Sequence, residues 1–171
     1  MSARFHRPVG VRRVTTPDEM TIEASAEERA ALAEALDIVS IESLTADVTV
    51  RPWRGEGVRV IGTVRGDVTQ ACVVTLEPVA GHVEETFDRR FHPDVAESEE
   101  VVVDPDEPDP PERLEGQEVD VGAIAVEHFA LGLDPYPRAP GVEFELEPDD
   151  EEDAEEPSPF AVLAQLKNKP T

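Results

Sequence analysis

An apolar segment in the second half of the chain constrains its fold more than any other feature. Asp120 can cap the first turn of a helix, because its carboxylate can accept hydrogen bonds from free backbone N–H groups. Apolar residues then recur at three- and four-residue steps, at Val121, Ile124, Ala125, Phe129 and Leu133. Val126 and Ala130 widen this face, which leaves Glu127 and His128 as its main polar interruptions. We therefore predict a helix over 120–133 that is covered on more than one side.

A proline-rich segment follows this helix, with Pro135, Pro137 and Pro140 close together. Proline has no N–H and disfavours helical angles in the residue before it, so 134–141 is predicted to be a stiff, non-helical exit. Glu127 is predicted to anchor this exit through Arg138 or through backbone N–H groups. An acid/base role for Glu127 is the less favoured hypothesis.

Alternating apolar and polar residues predict strands upstream of the helix. The predicted strands are 4–14, 44–53, 58–65, 67–77 and 83–91, with turns at 55–57 and 80–81, and one further strand over 142–146. Ser25 and Glu28 have the spacing of a capping box, which predicts a second helix with an apolar face of Ala31, Leu32, Ala35 and Leu36. The predicted fold is α+β: a small curved antiparallel sheet, or a barrel-like sheet, packed by two or three helices.

The formal charge of −24 is concentrated in two segments. Nine acidic residues lie between Asp94 and Glu112 and eight between Glu147 and Glu156, and neither segment holds a basic residue. The remainder of the chain carries only seven negative charges. We predict one domain over 1–146 with an acidic loop at 94–113, an acidic linker at 147–157 and a last helix at 158–169. That helix could fold against its own domain or bind a partner.

The sequence favours a cytoplasmic protein without a catalytic site. It has no apolar run of about 20 residues and no signal-peptide pattern at its beginning. Its single cysteine, Cys72, cannot form an internal disulfide or a cysteine-rich zinc site. The four histidines are scattered, and no nucleophile, phosphate-loop or metal-ligand motif is recognisable. We expect no metal, no cofactor and no enzymatic activity.

Thirteen of the fifteen basic residues are arginines, whose guanidinium groups suit phosphate contacts and base stacking. Trp53 lies between Arg51 and Arg54 and could serve as a stacking platform, although a core or rim aromatic is the simpler interpretation. Edge charges that discourage aggregation are the alternative role for the arginines near the beginning of the chain. The candidate RNA or partner contacts are Arg4, Arg7, Arg12, Arg13, Arg51, Trp53, Arg54, Arg59, Arg65, Arg89 and Arg90.

The segments EGQEVDVGAIAVEHFALGLDPYPRAPG, GDVTQACVVTLEPV and PFAVLAQLK together resemble the YceD family of large-subunit rRNA accumulation proteins. The resemblance implies a cytoplasmic bacterial or organellar protein that supports accumulation of the large-subunit rRNA and has no established catalytic activity. The positions that match the family's motifs are Cys72, Leu76, Glu127, Leu133 and Pro135. Many members carry a second cysteine near the position of Cys72. This chain lacks it, which removes a paired-cysteine metal or redox site.

Two functional hypotheses follow. The first is a non-enzymatic ribosome-assembly factor that contacts large-subunit rRNA, or its precursor particle, through arginines of the sheet. The second is an acidic holding chaperone that binds a basic ribosomal protein through 94–112 and 147–156. Neither hypothesis involves a membrane.

Overall fold

A computed structural model describes residues 5–95 and 110–142 of the chain. In chain order its elements are β1 (Pro8–Gly10), a one-turn 3-10 helix (Val11–Arg13), β2 (Asp18–Glu23), α1 (Ala26–Ala35), β3 (Ser40–Trp53), β4 (Gly57–Ala71), β5 (Pro78–His92), β6 (Glu112–Arg113), β7 (Glu118–Asp120) and α2 (Val121–Leu131). This confirms the predicted α+β class. No helix in these two ranges is long and apolar enough to cross a membrane.

The main sheet has five strands in the order β2-β3-β4-β5-β6. The strands β2 to β5 form an antiparallel meander, whereas β6 pairs with β5 in parallel. The sheet is therefore mixed rather than wholly antiparallel, and it is not closed into a barrel. A second sheet consists of β1 and β7, which pair antiparallel.

Alternation of buried and outward-facing residues explains the long central hairpin of β3 and β4. Buried apolar residues recur at two-residue steps over 44–50 of β3, and at the same spacing over 58–68 of β4 except at the half-buried Gly62: they are Leu44, Ala46, Val48 and Val50 in β3 and Val58, Val60, Val64 and Val68 in β4. Such a pattern places one complete face of each strand against the core. The predicted turn between the strands is confirmed, and it joins the paired residues Trp53 and Gly57. Arg54 and Gly55 have positive φ values of 45° and 76° within it.

The predicted capping box of α1 is confirmed. The Glu28 N–H donates to the Ser25 hydroxyl at 3.2 Å, and the Glu28 carboxylate accepts from the Ser25 N–H at 2.9 Å. The helix packs against β3 through buried Ala33. Leu32 and Leu36 pack against the core as predicted, whereas Ala35 is exposed. The apolar face of α1 therefore includes Ala33 instead of the predicted Ala35.

The second helix begins as predicted, with the Asp120 carboxylate accepting from the N–H groups of Gly122 at 3.1 Å and Ala123 at 3.2 Å. Its buried residues are Val121, Gly122, Ile124, Ala125 and Phe129, which confirms the predicted stripe. The helix packs on β4 and β5, where a Cβ on Gly66 would come within 2.7 Å of the Phe129 ring. It ends at Leu131, and Leu133 packs against the core from the exit segment.

Two strand predictions were wrong. The chain leaves β4 at Ala71, turns over 73–75 and enters β5 at Pro78. The strands predicted over 58–65 and 67–77 are therefore one strand that ends at Ala71, and residues 80–81 lie within β5 rather than in a turn. Leu76 has a φ of 62°, in the left-handed region that interrupts a strand, and its side chain is exposed. The predicted strand over 4–14 is reduced, in its described part, to β1, because the 3-10 turn follows immediately.

Several predictions fall outside the described residues. They are most of the acidic loop, at 96–109, the strand predicted over 142–146 apart from Val142, the acidic linker at 147–157 and the helix predicted at 158–169. Val142 itself is described and has no regular structure.

Candidate functional site

The face of the sheet that turns away from both helices presents a row of arginines. Val50 and Val58 face the core, so the next residues along their strands, Arg51 and Arg59, face outward. Arg51 pairs with Arg59 across β3 and β4, and Arg59 pairs with Arg90 across β4 and β5. Three guanidinium side chains therefore stand side by side on three neighbouring strands.

An aromatic group adjoins this row at the end of the β3–β4 hairpin. The Arg54 guanidinium lies 4.7 Å from the centroid of the Trp53 ring, in a cation–π contact. The Trp53 and His92 rings meet edge to face, with centroids 6.2 Å apart. The His92 ring is held by two hydrogen bonds: its Nε2 donates to the Arg54 carbonyl at 3.0 Å, and its Nδ1 accepts from the Asp94 N–H at 3.1 Å.

Gly57 makes this close approach of Trp53 and His92 possible. A Cβ at this position would lie 2.6 Å from the Trp53 carbonyl oxygen, 2.7 Å from the Phe91 carbonyl oxygen and 2.8 Å from the His92 ring. Only a residue without a side chain fits between the two strands at this point. We call the set of Arg51, Trp53, Arg54, Arg59, Arg90 and His92 the arginine patch.

The Asp88 carboxylate partly balances the charge of the patch. Arg59 Nε donates to Asp88 Oδ1 at 2.6 Å, its Nη2 donates to the other carboxylate oxygen, and Arg90 Nη2 lies 3.5 Å from that oxygen. The hydrogen bond from Arg59, opposed by partial burial and assisted by the charges of Arg59, Arg90 and Arg51, lowers the pKa of Asp88 below its ordinary value. Arg51 and Arg54 form no ion pair with any described residue.

A groove continues from the patch across the middle of the same face. Its volume is about 760 Å³. Its lining includes the hydroxyl-bearing residues Thr21, Thr49, Thr63 and Thr86, the apolar residues Met20 and Ile61, and the acidic residues Glu19, Asp47 and Asp88. Asp88 belongs to both the groove and the surroundings of Arg59, so the two features form one continuous surface.

Arg65 also faces outward, but two carboxylates already bind it. Its Nη1 donates to Asp47 at 2.9 Å and its Nε to Glu84 at 2.6 Å. These hydrogen bonds raise the pKa of Arg65 above its ordinary value. A ligand would have to displace both partners, so Arg65 contributes less to an anion-binding surface than Arg51 and Arg54.

Arg89 lies on the opposite, helix-bearing face of the sheet. Its Nη2 donates to Glu112 of β6 at 2.6 Å, and its Nη1 donates to Glu127 of α2 at 3.1 Å. The predicted anchor of Glu127 was therefore wrong: in the described part of the chain its ionic partner is Arg89 rather than Arg138. The neighbouring His128 ring stacks on Phe87 with centroids 5.2 Å apart.

Arg7 holds the two sheets together rather than facing outward. Its guanidinium binds the Glu28 carboxylate through two hydrogen bonds of 2.8 and 3.0 Å, and it also donates to the Glu23 carbonyl at 3.1 Å. This pairing lowers the pKa of Glu28 to about 2. Arg12 and Arg13 are exposed on the 3-10 turn and are not part of the row formed by Arg51, Arg59 and Arg90, and Arg4 lies outside the described residues.

Four of the five family-motif positions, Cys72, Leu76, Leu133 and Pro135, lie in the β4–β5 turn or in the segment that follows α2, and the fifth, Glu127, lies on α2. Cys72 is fully buried, and its Sγ accepts from the Ala139 N–H at 3.4 Å. A hydrogen bond from Thr75, followed by N–H groups that include that of Ala139, lowers the pKa of this thiol to about 6. Leu76 and Pro135 are exposed, and Leu133 is partly buried. Within the described ranges, no three His, Cys, Asp or Glu side chains come together as metal ligands.

Sequence reasoning missed His92, Asp88 and the groove. The segment RPWRGEGVR already carried a signal, because a turn centred on 55 places Arg51 opposite Arg59 and Trp53 opposite Gly57. The alignment of Arg90 and His92 with this hairpin depends on the β4–β5 turn, which had been predicted in the wrong place.

Comparison with known proteins adds one match. A family model described as "Large ribosomal RNA subunit accumulation protein YceD" matches residues 60–167, from β4 through the exit segment and beyond the described residues. No curated protein and no solved structure matches the chain. Because the family match covers more than half of the sequence, the chain belongs to the YceD family of large ribosomal RNA subunit accumulation proteins.

Proposed function

We propose that this protein is a cytoplasmic, non-enzymatic factor that supports accumulation of large-subunit rRNA by contacting the rRNA, or its precursor particle, through the arginine patch. Family membership supports the role, since the family description names accumulation of this RNA. The observation that best supports this contact surface is the row of Arg51, Arg59 and Arg90, paired across three neighbouring strands beside Trp53.

Like charges directly opposite each other in a sheet repel, which applies to Arg51 opposite Arg59 and to Arg59 opposite Arg90. The Asp88 carboxylate contacts both Arg59 and Arg90 and offsets part of this repulsion. Neighbouring strands lie about 4.8 Å apart, so the three guanidinium groups span on the order of 10 Å along a line. A polyanion with regularly spaced phosphates offsets the repulsion along that line, and guanidinium groups bind phosphate through paired hydrogen bonds.

Trp53 adds a surface for an unpaired base. Bases stack on aromatic side chains in single-stranded nucleic-acid sites, with arginine assisting through its charge. Arg54 now covers the Trp53 ring at 4.7 Å, and its long side chain allows it to move from the ring to a phosphate. The patch therefore suits an exposed, unpaired stretch of rRNA better than a regular duplex.

The packing around Glu127 supports the non-enzymatic part of the proposal. This carboxylate binds Arg89, and His128 stacks on Phe87, so both side chains take part in holding α2 to the sheet. The competing hypothesis of an acidic holding chaperone relies on 94–112 and 147–156, most of which lies outside the described residues. No described contact favours it.

The proposal is tested by binding of the purified full chain to large-subunit precursor particles over a range of salt concentrations. The test variant is Arg51→Gln with Arg54→Gln, because neither side chain has an ion pair in the described structure. We expect binding weakened about tenfold or more and a salt slope reduced by roughly 1.5.

The matched control is Arg12→Gln with Arg13→Gln, which removes the same charge from the exposed 3-10 turn. This variant is expected to bind nearly as the wild type does. Equal weakening by both variants would mean that net charge, and not the patch, governs the contact. Undiminished binding by the patch variant would overturn the proposed surface.

A further inference from the structure

A cluster of exposed apolar side chains lies at the contact of the β4–β5 turn with the proline-rich exit. Val73, Val74 and Leu76 of the turn are 47%, 36% and 78% exposed, and Tyr136 of the exit is 70% exposed. We call these four residues the apolar turn patch. Side chains of this kind are normally covered when they are grouped, because each square ångström left in water costs free energy.

The backbone beneath this patch is fixed by hydrogen bonds. The Val73 N–H donates to the Pro137 carbonyl at 2.9 Å, which joins the turn to the exit. Within the turn, the Cys72 N–H donates to the Glu77 carbonyl at 2.8 Å and the Leu76 N–H donates to the Cys72 carbonyl at 2.9 Å. Val73, Val74 and Leu76 are therefore presented by a hydrogen-bonded turn, and Tyr136 by the exit segment bound to that turn, which gives the fixed backbone that a docking surface requires.

The chain itself supplies a segment with the matching chemistry. For 158–169 the sequence predicts a helix with Ser158 as its cap, Pro159 at its first position and an apolar face of Phe160, Leu163 and Leu166. Such a face needs an apolar partner, because a helix this short is marginal alone in water. The segment lies outside the described residues.

Chain connectivity places this segment within reach of the patch. The described chain runs past the patch at Ala139, whose N–H donates to Cys72 Sγ, and continues to Val142, whose N–H donates to the Ala139 carbonyl at 3.3 Å. The connecting residues 143–157 can span on the order of 50 Å when extended, which is ample for a return to the turn. The family match spans the turn, the exit and most of this segment, up to residue 167.

Charge complementarity points in the same direction. The only two lysines of the chain, Lys167 and Lys169, lie at the far end of the predicted helix. Glu77 and Asp134 are exposed beside the apolar turn patch.

We propose that the segment 158–169 folds back as a helix onto the apolar turn patch of its own chain, with Phe160, Leu163 and Leu166 against Leu76 and Tyr136.

Hydrogen exchange of the full chain, followed by mass spectrometry, tests this docking. Peptides from 158–167 are expected to be protected in the wild type, independently of protein concentration. Leu76→Asn removes the apolar side chain and suits the φ of 62°, because asparagine tolerates left-handed angles. We expect it to accelerate exchange in 158–167 by roughly ten- to a hundredfold, the effect of uncovering one large apolar side chain.

The reciprocal variant is Leu163→Ser, which is expected to accelerate exchange at residues 73–77. Its matched control is Gln165→Ser, on the opposite side of the predicted helix, which is expected to change neither region. Full exchange of 158–167 at the earliest times in the wild type would overturn the proposal, as would protection that Leu76→Asn leaves intact. Protection lost on dilution would also overturn it, and would identify a second copy of the chain as the occupant.

Discussion

Arg89 of β5 and Glu127 of α2 are joined by a hydrogen-bonded ion pair of 3.1 Å on the helix-bearing face of the sheet. The same guanidinium binds Glu112 of β6. One side chain therefore ties the second helix and the last strand of the main sheet to β5. The Arg89 side chain is 23% exposed, against 42% for Arg65, whereas the Glu127 carboxylate is 57% exposed, so the guanidinium is the more shielded member of this pair.

Replacement of Arg89 is expected to destabilise the fold. In Arg89→Met the two carboxylates lose their shared partner while the apolar stem is kept, and we expect a loss of about 1–2 kcal/mol in the free energy of unfolding. Urea denaturation measures this loss. The control is Arg65→Met, whose guanidinium is 42% exposed against 23% for Arg89, with an expected loss of about 0–1 kcal/mol. Equal losses of unfolding free energy in the two variants would contradict a larger contribution from Arg89 than from Arg65.

The stability contributed by Glu28 is expected to depend on pH. Pairing with Arg7 lowers the pKa of Glu28 from an ordinary 4.5 to about 2 in the folded state. A lowered pKa means that the contribution is fully present above 4.5 and is lost as the pH falls through about 2. The stability difference between wild type and Glu28→Gln should therefore be largest near neutral pH and shrink between these two values. Urea denaturation across this range measures it, and a difference that grows on acidification would contradict the pairing.

Gly57 is expected to be essential for the arginine patch. In Gly57→Ala the new methyl group would collide with two backbone carbonyl oxygens and the His92 ring, at 2.6 to 2.8 Å, and we expect a destabilisation of about 1–3 kcal/mol. Trp53 is the only tryptophan, so its fluorescence reports the rearrangement directly. Gly10→Ala serves as the control, because its nearest neighbour would lie 3.8 Å away. An unchanged Trp53 spectrum in Gly57→Ala would contradict this packing.

Local sequence patterns correctly predicted the helices and strands that depend only on residues close together in the chain. The Ser25 capping box, the Asp120 cap, the stripe of α2 and the alternation of β3 each depend on neighbouring residues alone, and the structure contains all of them. The β4–β5 turn could not be predicted in this way. Val74 and Leu76 continue an alternating pattern, but contacts with the distant exit segment hold this part of the chain in a turn.

The candidate site was predictable only as a list of residue types. The sequence contains the arginines, but it does not say that Arg89 and Arg90, adjacent in the chain, face opposite sides of the sheet. Nor does it reveal that Arg7 and Arg65 are bound by carboxylates from distant strands or helices. Burial and strand register separate the arginines that face outward from those that are bound by carboxylates, and both are properties of the tertiary structure.

The two acidic segments provide a test between the functional hypotheses. Replacement of the eight acidic residues of 147–156 by their amides preserves the length of the segment and removes its charge. If the arginine patch binds RNA, affinity for large-subunit precursor particles should persist or increase, because repulsion from phosphates is removed. A holding chaperone should instead lose its affinity for basic ribosomal proteins. Binding of the variant to both kinds of partner, measured in parallel, distinguishes these outcomes.

The most direct test of the patch as the working surface is the ratio of large- to small-subunit rRNA in cells depleted of the protein and supplied with variants. Wild type and Arg12→Gln with Arg13→Gln should both restore the ratio. Arg51→Gln with Arg54→Gln should leave it lowered, at equal protein level and unchanged thermal stability. Full restoration by this patch variant would contradict a contact through the arginine patch.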